Sequence, residues 1–124
     1  MKENTITALH LPPHERPKAV QLTNTLEGLQ KAVGGMIEFV YLPDGFMLLL
    51  NEEGKLIGLE PNRRYEQDVL VGDVYVVKDD GEGDLTSLNQ EEIEYFSAVF
   101  DVPAEDITQD EVEACCGFFM IFPW

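Results

Sequence analysis

The sequence predicts a single α+β domain in which an antiparallel β-meander sheet of four to six strands carries about three helices. The length of 124 residues is typical of one domain. A hydrophobic share of 44% is sufficient for a packed core and too high for a disordered chain. Three helix-start signals flank a middle section whose apolar residues follow the spacing of strands.

The strand prediction follows from apolar runs that are bounded by turn residues. Phe46–Leu50 is apolar on both faces, which favours a central position in the sheet. Pro43-Asp44-Gly45 is a predicted turn, residues 61–64 a predicted loop, and Gly72 interrupts the last strand. The predicted strands are 3–11, a short one at 19–22 inside an extended connector (12–22), Met36–Leu42, Phe46–Leu50, Lys55–Leu59 and Val69–Lys78.

The helix prediction depends on capping residues. Asn24, Asn89 and Thr108 are each followed three residues later by a glutamate, which is the pattern of a capping box. Gly34-Gly35 and Gly117 are the predicted stops of the first and third helices. All three helices are expected on one face of the sheet. The apolar face of the second helix, with its hydrophobic staple, is predicted to consist of Leu88, Ile93, Phe96, Val99 and Phe100.

The charge is strongly negative and unevenly distributed. The formal net charge is −16, and the 13 acidic residues from Asp79 onward are accompanied by no lysine or arginine. Such a surface repels nucleic acid and anionic membrane, so direct binding to either is not expected. Two interpretations stay open, a face that keeps the protein soluble or one that attracts a basic partner. The predicted partner-binding residues are Asp79, Asp80, Glu82, Asp84, Glu91 and Glu94.

The two ends of the chain predict a cytoplasmic protein. No apolar stretch suited to a signal peptide follows Met1. The apolar run over residues 114–124 is too short for a spanning helix and is interrupted by Gly117 and Pro123. We expect it to form a final strand, a core plug or a contact between copies in a homo-oligomer. The only cysteines, Cys115 and Cys116, are adjacent and do not form an extracellular disulfide framework.

Catalytic chemistry finds little support in the sequence. The two cysteines are next to Glu113 and far from any lysine or arginine, which disfavours a reactive thiolate. His10 and His14 have a spacing that suits zinc only on a helix, and two prolines between them prevent a helix there. We therefore predict no catalytic residue, no metal site and no cofactor.

A predicted anion site centres on two adjacent arginines. Only three arginines occur, and two of them, Arg63 and Arg64, follow Asn62 in a predicted loop. Arginine offers a planar fork of donors that suits phosphate or carboxylate. The alternative is that both pair with the chain's own carboxylates, such as Glu60, Glu66 and Asp68. The predicted ligand-binding residues are Asn51, Lys55, Asn62, Arg63 and Arg64.

Several short motifs resemble an uncharacterised family, domain of unknown function 3846. They are Val33–Glu38, the turn Asn51-Glu52-Glu53-Gly54-Lys55-Leu56 with Gly58-Leu59 and Asn62-Arg63 behind it, Val71-Gly72-Asp73, and Leu85–Leu88. The resemblance covers about residues 26–100 and leaves out the N-terminal segment and the tail. We predict a single domain over residues 1–124 with three parts. The first is an N-terminal strand and connector (1–22), the second a family-like core (23–100), and the third an acidic short helix followed by the apolar C-terminal run (101–124).

The resemblance implies a phage, plasmid or other mobile element and brings no catalytic residues with it. Accessory proteins of such elements frequently oppose host defence. The first hypothesis is therefore a sponge that sequesters a nucleotide-type anionic signal. The alternative is an acidic DNA mimic or protein-interaction inhibitor of a host nuclease, restriction or CRISPR enzyme. A nucleotide-processing enzyme, with the two arginines holding phosphate, is the third.

Overall fold

The main sheet has six antiparallel strands in a computed structural model that describes residues 4–114. The strands are β1 (Thr5–Leu11), β2 (Lys18–Thr23), β3 (Ile37–Tyr41), β4 (Phe46–Asn51), β7 (Val74–Asp79) and β8 (Leu85–Thr86). Five of them follow the order β2-β1-β7-β4-β3, and β8 pairs with β7. The predicted α+β class and antiparallel pairing are confirmed. The order is not that of a simple meander, because β7 lies between β1 and β4.

Both faces of this sheet are covered. Met47 and Leu49 of β4 point into one apolar cluster with Leu29 of the first helix. Leu48 points into the opposite cluster with Phe96 of the second helix. The expectation that all helices lie on one face is therefore wrong. β4 is apolar on both faces because each face is covered by a helix, and its predicted inner position in the sheet is confirmed.

The helices are α1 (Leu26–Val33), α2 (Gln90–Val99) and a third, α3, described over residues 109–114. The capping box of Asn89 and Glu92 on α2 is confirmed, whereas α1 is capped by Thr25 and not by Asn24. Asn24 is buried and its backbone N–H continues the β1–β2 ladder to Asn4, so it does not serve as the cap. Gly34 ends α1 with φ of 78°, as predicted.

The apolar face of α2 is confirmed except at one position. Leu88, Phe96 and Phe100 are buried and Ile93 packs against them, but Val99 is 51% exposed. Thr108 begins α3 as predicted, since its hydroxyl oxygen accepts from the backbone N–H of Glu111. The predicted stop at Gly117 lies outside the described residues.

A second, two-stranded sheet replaces the predicted loop at 61–64. It pairs β5 (Pro61–Tyr65) with β6 (Asp68–Val71), and a register shift occurs between Pro61 and Arg63. The predicted strand Lys55–Leu59 is wrong, because residues 52–58 form consecutive turns. Its adjacent apolar residues Leu56 and Ile57 are 63% and 58% exposed, so neither marks a core face. The interruption at Gly72, with φ of 71°, is confirmed, but the two halves of the predicted strand Val69–Lys78 are separate strands, β6 and β7, in different sheets.

No helix in the described part of the chain is both long and apolar enough to cross a membrane. The predictions for Cys115, Cys116 and the apolar C-terminal run fall outside the residues that the structure describes.

Candidate functional site

Asn62 lies inside the protein and not in a surface loop. Its side chain is fully buried and its amide donates to the backbone carbonyls of Leu11 (2.6 Å) and Gly72 (2.7 Å). The backbone carbonyl of Asn62 accepts from the backbone N–H of Ala104. These bonds join the end of β1, the β6–β7 connection and the segment before α3. Asn62 therefore holds three parts of the fold together.

Arg63 is also internal, with 2% of its surface exposed. Its guanidinium donates to the backbone carbonyls of Phe100 (2.8 Å), Pro12 (3.0 Å) and Glu15 (2.6 Å), and to the side-chain oxygen of Asn62. Burial lowers the pKa of Arg63 from its ordinary value, and the nearby charge of Asp101 acts in the opposite direction. An external anion cannot reach these donors unless the carbonyls are displaced.

Arg64 points outward and pairs with the chain's own carboxylates. Its guanidinium contacts Glu111 at 2.8 Å and Asp106 at 2.9 Å. These hydrogen bonds raise the pKa of Arg64 and lower the pKa values of both acids. The pairing with internal carboxylates is thus present, but the partners belong to the segment around α3 and not to the predicted set Glu60, Glu66 and Asp68. Arg64 anchors that segment to β5.

Asn51 and Lys55 lie on a different cavity from the arginines. Asn51 is 5% exposed, and its amide donates to the Val33 carbonyl at the end of α1. Lys55 forms a hydrogen-bonded ion pair with Asp68. Both residues line a cavity of about 280 Å³ between the main sheet and the small sheet. The five predicted ligand residues therefore occupy three separate places and do not form one anion site.

This first cavity combines apolar walls with acidic side chains. Its apolar lining comes from Val40, Leu50, Leu56, Val69, Leu70 and Val71. Its charged lining is Glu38, Glu52, Asp68 and Lys55, which sums to more acid than base. Desolvation raises the pKa of Glu38, with a further contribution from repulsion by Glu52. Such a lining disfavours an anion and suits a cationic or apolar group.

A second, open cavity of about 360 Å³ lies on the opposite face of the sheet. Its floor is apolar and includes Leu29, Phe39 and Met47. Asp79 and Asp84 line it as well, from the β7–β8 connection. Leu26 and Tyr41, also in its lining, are 61% and 77% exposed. Apolar groups with an acidic rim thus flank β3 on both faces.

The predicted acidic residues form two groups at one end of β7. Asp79 ends β7, Asp80, Glu82 and Asp84 belong to the β7–β8 connection, and Glu91 and Glu94 belong to the first half of α2. The 2.7 Å ion pair of Lys78 with Glu92 joins this end of β7 to the first turn of α2. In the described part of the chain, none of the six is in an ion pair with lysine or arginine. We call these six residues the acidic surface.

The two histidines serve structural contacts. His10 lies 2.7 Å from Asp73 and stacks on Tyr75 with the ring centres 4.5 Å apart. His14 contacts Glu105 at 2.8 Å and Glu60 at 3.1 Å. Among residues 4–114, no cluster of three or more metal-ligating side chains is arranged to hold an ion.

Sequence reasoning missed both cavities and the position of β3 between them. The pattern Ile37-Glu38-Phe39-Val40-Tyr41 identifies a strand, but the strand order that leaves β3 at the end of the sheet comes from long-range pairing. The spacing of Leu26 with Leu29 and Val33 predicts one apolar helix face, but Leu26 is 61% exposed. The exposure of Tyr41 and Leu56 also does not follow from local pattern, because exposure is a property of the folded chain.

Comparison with protein families gives one match. The model described as Domain of unknown function (DUF3846) matches residues 6–101. The match begins before the region over which the resemblance was expected, so it includes β1 and β2. No curated protein and no solved structure matches the chain.

Proposed function

The chain belongs to the family described as Domain of unknown function (DUF3846), and on that premise we propose that it is a non-enzymatic binding protein whose acidic surface engages a basic partner protein. The observation that carries this proposal is the absence of ion-pair partners for the acidic surface among the described residues. The basic side chains are mostly engaged elsewhere: Lys55, Arg64 and Lys78 in ion pairs with other acids, and Arg63 with backbone carbonyls.

The location of these carboxylates favours binding to a partner protein. Asp80, Glu82, Glu91 and Glu94 are exposed, and Asp79 and Asp84 are half-buried beside the second cavity. In the connection, Oδ1 of Asp79, Asp80 and Asp84 accepts backbone N–H groups, which holds the three side chains in place. Charges that are already ordered are available for a partner with less loss of side-chain entropy.

The nucleotide-signal hypothesis has less support. It depends on Asn62 and Arg63, whose polar atoms are bonded to the chain's own backbone. The nucleotide-processing alternative depends on the same arginines. In the mobile-element setting that the family resemblance implies, the partner would be a host enzyme that handles nucleic acid, and the acidic surface would occupy its basic channel.

The experiment compares three immobilised proteins in the capture of host proteins. They are the wild type, a variant in which the acidic surface is neutralised by Asp80→Asn, Glu82→Gln, Glu91→Gln and Glu94→Gln, and a control with Glu53→Gln, Glu66→Gln, Asp110→Asn and Glu113→Gln. The control removes the same number of exposed carboxylates from other places. All three are first shown to have the same circular dichroism spectrum and melting temperature.

We expect wild type and control to retain the same basic proteins, and the neutralised variant to lose them. Retention should fall steeply with added salt and with duplex DNA as a competitor, because opposite charges drive the association. Equal retention by all three proteins would contradict the proposal. So would a thermal shift of about 10 °C with a cyclic nucleotide in the absence of any charge-dependent partner, which would favour the anion-binding hypothesis.

A further inference from the structure

The outer edge of β3 is open among the residues that the structure describes. The strand order ends at β3, which pairs only with β4. The bonds that flank this pairing, Glu52 N–H to Met36 O and Leu42 N–H to Phe46 O, fix which pairs are hydrogen-bonded. Bonded pairs alternate in an antiparallel ladder, so Glu38 and Val40 bond to β4. Ile37, Phe39 and Tyr41 consequently direct their backbone N–H and C=O groups outward.

This edge lacks most of the features that prevent strand addition. Natural edge strands carry charged side chains, above all lysine, or a proline or bulge that blocks another chain. β3 contains no lysine, proline or bulge, its one charged residue is Glu38, and its register with β4 is uninterrupted. The opposite edge of the sheet is different, because β2 begins with Lys18 and carries exposed Gln21 and Thr23. The two edges of one sheet are thus unequally protected.

Cavities lie on both faces of β3. Ile37, Phe39 and Tyr41 line the second cavity, whereas Glu38 and Val40 line the first. A strand that is added beside β3 would direct alternate side chains to these two faces. This arrangement is the one used in β-strand addition, in which main-chain bonds give affinity and alternate pockets give specificity.

The charges around the β3 edge indicate which kind of segment can bind there. Glu38 and Glu52 lie on the face of the first cavity, and Asp79 and Asp84 on the face of the second. Lys55, on the first cavity, is paired with Asp68. A second copy of this chain, with a net charge of −16, would bring like charges together. A segment with basic and apolar side chains is complementary on both faces.

We propose that the outer edge of β3 binds an extended, basic segment of the partner protein, in which lysine or arginine alternates with apolar residues, as an additional antiparallel or parallel strand. This inference rests on the proposed function, because it adds a second place of contact with the same basic partner. The apolar side chains occupy the second cavity beside Phe39, and the basic ones contact Glu38.

A proline substitution at Tyr41 tests the edge without disturbing the sheet. The side chain of Tyr41 is 77% exposed, and its N–H points away from β4, so proline removes only an outward donor. Ala19→Pro is the matched control on the other edge. Ala19 is exposed, and the Asn24–Asn4 bond that continues the β1–β2 ladder places its N–H outward as well.

The measurement is amide hydrogen exchange by NMR, with a short synthetic peptide of alternating valine and lysine as the probe and its valine–glutamate counterpart as the control. At a concentration of about ten times Kd, the valine–lysine peptide should slow exchange at Ile37, Phe39 and Tyr41 by about ten-fold, since about a tenth of the protein remains free. Exchange at residues 19, 21 and 23 should not change. Tyr41→Pro should abolish the effect and Ala19→Pro should retain it.

Several outcomes would overturn this inference. They are no slowing with the valine–lysine peptide, equal slowing with the glutamate peptide, or slowing on the β2 edge. If amide exchange at the β3 edge slows with increasing protein concentration in the absence of peptide, a second copy of the chain is the occupant. If amide exchange at the β3 edge is slow without peptide and becomes faster on deletion of residues 115–124, the chain's own C-terminal segment is the occupant.

The capture experiment separates this inference from the proposed function. If Tyr41→Pro captures basic proteins as well as the wild type while the neutralised variant does not, the acidic surface binds the partner and the β3 edge does not. If the neutralised variant also retains them, the proposed function itself is wrong. Loss of capture in both variants, with Ala19→Pro unaffected, supports the two together.

Discussion

The guanidinium of Arg63 donates a hydrogen bond to the side-chain oxygen of its neighbour Asn62, and the amide of Asn62 donates in turn to the Leu11 and Gly72 carbonyls. Two adjacent polar side chains therefore form one buried network, which reaches β1, the turn before β7 and the end of α2. In the described part of the chain, no buried side-chain polar atom lacks a partner. The network explains why polar residues in β5 are compatible with burial.

Arg63→Met should destabilise the protein by about 3 kcal/mol or more. It removes the donors to the Pro12, Glu15 and Phe100 carbonyls, and a buried acceptor without a partner costs about 1–3 kcal/mol. Urea denaturation measures the loss. Arg64→Met serves as the control and should have a much smaller effect, because the Arg64 side chain is 41% exposed and its ion pairs are at the surface. Equal effects of the two substitutions would contradict the buried role of Arg63.

Gly72→Ala should cost more stability than Gly34→Ala. Both glycines have positive φ, 71° and 78°, so alanine at either position incurs backbone strain of about 1–2 kcal/mol. At Gly72 the added Cβ would also lie 2.7 Å from Cδ1 of Leu59, whereas nothing lies within 4 Å at Gly34. The difference in the free energy of unfolding between the two variants isolates this contact. A larger loss for Gly34→Ala would contradict the packing of Leu59 on Gly72.

Thr25→Ala and Asn89→Ala should each destabilise the protein by about 1 kcal/mol. The Thr25 hydroxyl accepts from Gly28 N–H at 3.0 Å, and the Asn89 side chain accepts from Glu92 N–H at 2.8 Å. Both losses can be read from urea denaturation, with Thr25→Ser as a variant that should retain stability. An unchanged midpoint for Thr25→Ala would show that the helix is capped in another way.

The contribution of His14 to stability should depend on pH. Hydrogen bonds to Glu105 and Glu60 raise the pKa of His14 above its ordinary value of 6.5. A group whose pKa is raised on folding stabilises the protein below its unfolded pKa, and this contribution disappears as the pH rises through the folded pKa. Stabilisation by protonated His14 should thus be complete below about pH 6.5, the ordinary pKa, and should disappear as the pH rises through the raised pKa of the folded protein.

The comparison for this prediction is His14→Asn, followed by urea denaturation from acidic to alkaline pH. Asparagine does not titrate and tolerates the positive φ of 66° at this position. His10 is present in both proteins, so its contribution cancels in the difference. A difference in stability that stays constant with pH, or increases toward alkaline pH, would contradict the prediction.

The sequence by itself determined the class of the fold and most of its elements. Local spacing can be read directly from the sequence. It predicts the cap at Asn89, the stop at Gly34, the interruption at Gly72 and the strand Phe46–Leu50, which is apolar on both faces. The family was also identified from short motifs, and residues 6–101 match its model. The uneven distribution of charge follows from the order of the residues in the chain.

Only the tertiary structure decided which polar residues are available to a ligand. Asn62 and Arg63 were interpreted as an anion site because their side chains suit phosphate, but the same donors suit backbone carbonyls, and long-range packing brings Leu11, Pro12 and Phe100 to them. The open edge of β3 is likewise a result of strand order, which depends on pairings between segments far apart in the chain. Local pattern specifies what a segment can form, whereas contacts across the fold decide which of its groups remain free.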